Sequence, residues 1–381
     1  MKILHTADLH IGKRVNEFSM LEDQKYILEQ ILSITDTEAP DAVILAGDLY
    51  DRSIPVGEAV ELLDFFLTQL SQREIPVFAV SGNHDSPERL DFGRRILCKT
   101  GIHMVGTFSG TPEHIALQDK YGPVHFYLLP FLKPAMVSPY YPNIDCYDTA
   151  VRTVVSHIHA DFAERNILVA HQFVINGSWE PERTDSESIS VGGVDQVDAS
   201  AFDGFDYVAL GHLHRSQAVG RPGIRYAGSP LKYSFSEAGH TKSVTVVDLE
   251  EKGYVKIKEC PLSPLHDLRQ IKGLISQLTD PAIASQGDCS DYIRAILTDQ
   301  GEVADAIGKL RAVYPNLMRL EFERQLLPET ESRTAASGNI SQKGILDLFA
   351  EFYEDQHGTV LSEQQKEKLH SVLHVAGGED E

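Results

Sequence analysis

Over residues 1–215 one pattern recurs: an apolar, β-rich run, a polar loop, then a stretch whose apolar residues return at helical spacing. The runs "KILHTADLH", "DAVILAGDLYD", "PVFAVSGNHD", "NILVAHQ" and "DYVALGHLH" predict strands, each ending abruptly in polar residues. "LEDQKYILEQILSITD" and "VGEAVELLDFFLTQLSQ" predict amphipathic helices, "ERLDFGRRIL" a further short one, and "TAVRTVVSHIHADFAER" reads as helix too. Strands alternating with helices imply a layered α/β core. From about residue 120 the texture changes: "VHFYLLPF", "GIRYAGSP" and the hairpin pair "SVTVVDL" and "YVKIKEC" predict a second, more antiparallel sheet.

Beyond the core, expected at 1–262, residues 263–326 read as a small α/β cap with a strand, a helix and a strand in "DYIRAILTD", "EVADAIGKLRAVY" and "LMRLEFERQ". The polar, Ser/Thr/Gly-rich 327–341 predicts a linker, and 342–381 predicts two short amphipathic helices. The expected fold class is therefore α/β (α+β layered): a two-sheet core flanked by helices, a small α/β cap and C-terminal helices.

Composition is that of a globular chain, 42% hydrophobic and 24% charged. No apolar run approaches the roughly 20 residues that span a bilayer, and "MKILHTADLH" lacks a signal-peptide apolar region. Cys98, Cys146, Cys260 and Cys289 are scattered without framework spacing, as expected of reduced thiols in the cytoplasm. With 34 basic and 56 acidic residues the net charge is −22, which argues against a free-standing nucleic-acid binder. Bound divalent cations or a basic partner would reverse that locally.

The strand ends change the picture. His212 and His214, spaced i, i+2 on an extended chain, project to one face. Alone, such a pair is explained by local hydrogen bonds. Yet the five apolar runs end in Asp8 and His10, in Asp48, in Asn83, in His171, and in His212 and His214. In layered α/β folds sites collect at the carboxyl ends of strands. Oxygen and imidazole donors without sulfur, too many for one ion, suit two divalent ions such as Mn, Fe or Zn, with a carboxylate between them. Two ions about 3.5–4 Å apart clamp a phosphoryl group and acidify a water. The residues thus point to hydrolysis of a phosphate ester.

The order Asp-x-His, Gly-Asp-x-x-Asp, Gly-Asn-His-Asp, His, Gly-His-x-His resembles the calcineurin-like metallophosphoesterases, with every block present and in sequence. The resemblance implies that Asp8, His10, Asp48 and His214 hold one ion. It implies that Asp48, Asn83, His171 and His212 hold the other, with Asp48 bridging. It gives His84 the role of protonating the leaving oxygen or stabilising developing charge, and Asp51 that of orienting His84. His157 and His159 share the i, i+2 spacing but fall in a predicted helix, where they diverge.

"MKILHTADLHIGKR", "AGDLYDRSIP" and "YAGSPLKYSFSE" further resemble the SbcD family of bacterial nuclease subunits. That resemblance implies a manganese-dependent nuclease acting on DNA ends, single strands and hairpins in repair, recombination and replication. It implies an SbcC-like coiled-coil ATPase partner docked by the C-terminal helices, where Ile345, Leu346, Leu348, Phe349 and Phe352 form an apolar stripe that must be buried either on that partner or on the chain's own core. It also implies a homodimer within a heterotetramer, through helices around Leu62–Leu70 and Arg89–Leu97, which equally read as core helices. DNA contact by the cap is expected at Lys272, Lys309 or Arg311, residues that solvated helix charge explains as well. Tyr226, Tyr233 and Phe235 either stack on bases or pack in the core. Two other functions stay open: a phosphoesterase of nucleotides or small diesters, and a non-catalytic clamp for an ATPase.

Overall fold

The computed structural model describes residues 1–187, 195–299, 301, 303–323, 349–350, 353–354 and 358–376. Met1–Phe322 forms one compact unit and Glu323–Glu381 another.

Two six-stranded sheets build the larger unit. The first runs Val255–Pro261, Ser243–Leu249, Lys2–Thr6, Ala42–Ala46, Val77–Val80, Ile102–Val105. Its last four strands are parallel, and the hairpin is antiparallel to Lys2–Thr6. The second runs Gln217–Val219, Arg221–Tyr226, Tyr207–Gly211, Arg165–His171, Gly122–Leu129, Glu113–Asp119, with parallel pairing at its centre and an antiparallel hairpin at each edge.

The period of two along each strand sorts residues into layers. Ile3, Ala42, Ile44, Ala46, Phe78 and Val80 face Val124, Phe126, Ile167, Val169 and Ala209 between the sheets. Phe78 stacks on Phe126 with centroids 4.2 Å apart. The intervening Leu4, Val43, Leu45, Val77 and Ala79 pack outward on the helices Leu21–Glu38 and Gly57–Gln72. Leu168, Ala170, Val208 and Leu210 pack on the helix Tyr147–Ser156. Strands buried on both faces are why these runs are almost continuously apolar.

Three expectations are corrected here. The 243–261 hairpin joins the first sheet, not the second, because Val247 and Leu249 fill the space between sheets while Val244 and Val246 meet the helices. The helix expected to run past His157 ends at Ser156, and His157 Nδ1 bonds the Thr153 carbonyl at 2.7 Å. The helix expected at 88–97 is two turns, Pro87–Leu90 and Arg94–Leu97, broken at Gly93 with φ 76°.

The cap holds three parallel strands, Leu268–Gly273, Tyr292–Leu297 and Leu317–Phe322, around its own apolar cluster. The first strand was not foreseen: "LRQIKG" carries too many polar residues to stand out. Asp23, buried on the Leu21–Glu38 helix, ties cap to core. It accepts from the His266 main-chain N–H at 3.0 Å and from the Tyr292 hydroxyl at 2.7 Å. In the smaller unit Glu363–Ala376 is helical. The expected 327–341 linker and Ile345, Leu346, Leu348 and Phe352 lie outside the described residues, and Phe349 is exposed.

Candidate metal centre

Five of the parallel-paired strands, Lys2–Thr6, Ala42–Ala46, Val77–Val80, Arg165–His171 and Tyr207–Gly211, deliver their polar ends to one rim. Four of the seven expected donors sit there with left-handed backbone: Asp8 (φ 54°), His10 (φ 44°), Asp48 (φ 50°) and His212 (φ 110°). Side-chain-bearing residues rarely adopt that region. The neighbours are shaped to match: a Cβ at Gly47 would overlap the His171 ring, and one at Gly82 would overlap the Asp48 carboxylate.

The donors gather as two clusters. His10 Nε2 and His214 Nε2 face each other at 3.1 Å, and with an Asp8 oxygen their ligand atoms lie within 4.8 Å. Asn83 Oδ1 stands 3.0 Å from both His171 Nε2 and His212 Nδ1. Asp48 lies between, with Oδ2 3.7 Å from His10 Nε2 and 3.4 Å from His171 Nε2. All seven expected residues therefore converge. Asp8, His10, Asp48, His171, His212 and His214 are buried, and Asn83 is half-buried at the mouth.

Charge in this pocket is finely balanced. Burial pushes the Asp8 carboxyl up to about 7 against the pull of His171 and His214. Burial also opposes ionisation of Asp48, but His171 and His10 outweigh it and hold that carboxyl well below its usual range. Burial lowers His171, yet Asp48 more than offsets this and raises it to about 9. His212 is driven down to about 3 by burial and by His171. Two buried carboxylates, imidazole nitrogens facing one another and an amide oxygen turned on two more make a donor set that suits divalent cations.

His84 stands beside this set. Its main-chain N–H donates to Asp48 Oδ1 at 2.9 Å, and its ring lies edge-on to His10 at 4.8 Å. The Asp51 contact to its Nδ1 is made at 3.0 Å by the main-chain carbonyl. The Asp51 carboxylate accepts from Lys13 Nζ at 2.7 Å. Tyr226 and Tyr233 are buried, which removes both as stacking platforms.

Supporting residues went unrecognised in the sequence. Asp85, readable as a turn residue, accepts from the N–H groups of Leu49, Tyr50 and Gly82 at 3.1, 2.9 and 2.9 Å and so locks the Asp48 and Asn83 loops together. Gln24 donates to the His10 carbonyl at 2.7 Å. Ser186, Glu187, Glu237 and Lys242 lie behind His214. The last residue of "YAGSPLKYSFSE" is the signal that could have found Glu237.

Residues 1–216 match the family described as calcineurin-like phosphoesterase, and residues 264–357 that described as type 5 capsule protein repressor C-terminal domain. The SbcD component of the nuclease SbcCD from Staphylococcus epidermidis (strain ATCC 12228 / FDA PCI 1200) is 32% identical over 379 residues, 98% of each chain. The chain belongs to the SbcD family of calcineurin-like phosphoesterases. As an SbcD-family chain it is a metallophosphoesterase of the nuclease-subunit type. A dimetal phosphatase from Danio rerio is similar at 12% identity over 68% of this chain and 95% of that one, with a TM-score of 0.42. Phosphopantetheinyl hydrolase from Mycobacterium tuberculosis is similar at 14% identity over 60% and 90%, with a TM-score of 0.37. Likeness so remote carries nothing about substrate.

Proposed function

We propose that this SbcD-family chain hydrolyses DNA phosphodiesters, as an exonuclease on ends and an endonuclease on single strands and hairpins, in repair, recombination and replication. The observation that carries this is Asp48: one carboxylate within 3.7 Å of His10 and 3.4 Å of His171, between two donor clusters. On this reading Asp8, His10, Asp48 and His214 hold one divalent cation, and Asp48, Asn83, His171 and His212 hold the second. Oxygen and imidazole donors suit manganese as the resident ion. Cations held by these residues would supply neutralisation of phosphoryl oxygens and activation of a water near neutral pH.

The chain's residues do the rest. His84, half-buried and hinged on Asp51, presents its ring beside the His10–Asp48 cluster, where it protonates the departing oxygen or meets charge building on phosphorus. Lys13, held over the Tyr233 ring and against Asp51, keeps positive charge near the incoming phosphate. A chain of net charge −22 has little to spare for DNA elsewhere, which supports a partner that grips the polyanion. We assign that role to an SbcC-like coiled-coil ATPase bound by the C-terminal helices, in a heterotetramer built on a homodimer of this chain. Its working compartment on this reading is the cytoplasm, consistent with four free cysteines. Among the described residues no helix is long and apolar enough to cross a membrane.

The test is cleavage of end-labelled and hairpin DNA with manganese, with and without the ATPase. Metal-dependent cutting abolished by chelator is expected. Turnover of a small chromogenic diester with none on DNA, even with the ATPase present, would replace this reading by the small-diester one.

A further inference from the structure

The segment 226–237, "YAGSPLKYSFSE", ends in a carboxylate that the hydrolytic scheme does not use. Glu237 is 0% exposed. Lys242 Nζ reaches Glu237 Oε2 at 2.5 Å, the His214 carbonyl at 2.8 Å and Ser229 Oγ at 2.9 Å, so each ammonium proton has an acceptor. Paired in this way Glu237 is ionised and can only accept. Ser186 Oγ, 2.6 Å from Glu237 Oε1, must therefore donate to it. Ser186 Oγ is also 2.7 Å from His214 Nδ1, and with its own proton committed it accepts there from the imidazole N–H. Direct contact is not available, because His214 Nδ1 stands 3.8 Å from Glu237 Oε1. The hydroxyl bridges the gap.

That chain of donors fixes His214 as the Nδ1–H tautomer. Its lone pair is left on Nε2, the atom facing His10 Nε2 at 3.1 Å in the donor cluster. The peptide is pinned as well: His214 N donates to Glu187 Oε1 at 2.7 Å, and Lys242 holds its carbonyl. We propose that Ser186 and Glu237 are positioning residues that set the tautomer and aim of His214. The assignment rests on the two-cation reading of the cleft.

The experiment is a manganese titration of the metal-stripped full chain, followed by the free-ion electron paramagnetic resonance signal. Wild type takes up two ions. Ser186→Ala weakens one of them by ~10–100-fold, the usual effect of removing a partner that orients a ligand, while Ser186→Thr, which restores the hydroxyl, regains it. Nitrogen-15 spectra of the metal-free wild type report His214 with its proton on Nδ1. Titrations of Ser186→Ala and wild type that superimpose, or a His214 protonated on Nε2 alone, overturn the relay. A wild type that binds no manganese fails at the first step and overturns the two-cation reading itself.

Discussion

Asp8, His10, Asp48 and His212 hold backbone angles that each disfavour folding by about 1–3 kcal/mol. The surroundings hold them there: Asp8 accepts from His212 N at 3.0 Å, and Asp85 clamps the loop after Asp48. Where every atom is placed, small additions are felt. Gly82→Ala drives a methyl into the Asp48 carboxylate, so it destabilises the chain by about 1–3 kcal/mol in urea unfolding and weakens metal binding. His84→Gln leaves the donor set intact. Its metal content and DNA affinity are expected to match wild type while single-turnover cleavage falls ~10²–10⁴-fold; near-normal cleavage would remove His84 from the mechanism. Metal uptake carries its own pH signature. In the ion-free protein Asp48 keeps His171 protonated up to about 9, and a cation must displace that proton to reach Nε2. Apparent affinity therefore rises with pH through that range, with protons released on manganese addition, measurable as acidification of a weakly buffered solution. These donors were legible because their spacing marks them. Glu237 and Asp85 were not: a carboxylate whose partners are main-chain N–H groups or a serine fifty-one residues away looks like any turn or surface residue until the chain closes around it.

Among the elements, strands stood out wherever both faces are buried, as in Ala42–Ala46 and Arg165–His171. Which sheet a strand joins was not legible, because pairing depends on contacts such as Lys2 with Asp248 that no local pattern encodes. Helix ends failed for local reasons: after Ser156 the His157 ring bonds the Thr153 carbonyl, and Gly93 takes a left-handed φ of 76°. Leu62, Leu63, Phe66, Leu67 and Leu70 of the Gly57–Gln72 helix face inward, so that stripe serves the core. The link between cap and core is equally non-local. Asp23→Ala strands the His266 N–H and the Tyr292 hydroxyl, and a loss of about 1–3 kcal/mol is expected. Hydrogen exchange should quicken over residues 263–268 and leave the Arg165–His171 strand unchanged; a uniform change across both would show that Asp23 is not a cap fastening.

For the whole molecule, the exposed apolar side chains matter most. Phe92 is 87% exposed and Ile96 72%, beside helices expected at a dimer contact. On the proposed homodimer, Phe92→Asp with Ile96→Asp shifts sedimentation from dimer to monomer without changing manganese content; an unchanged dimer would move the contact elsewhere, and a wild type that sediments as a monomer would remove the homodimer. The cleft itself draws its donors from both sheets: Asp8, His10, Asp48 and Asn83 follow strands of the first, His171, His212 and His214 those of the second. Ions seated there would rivet the halves of the sandwich together. At a hundredfold excess over the dissociation constant, each contributes ~2.7 kcal/mol against unfolding. Stripping them with chelator should lower the melting temperature of the nuclease half, so that dismantling the catalyst and loosening the scaffold become one event.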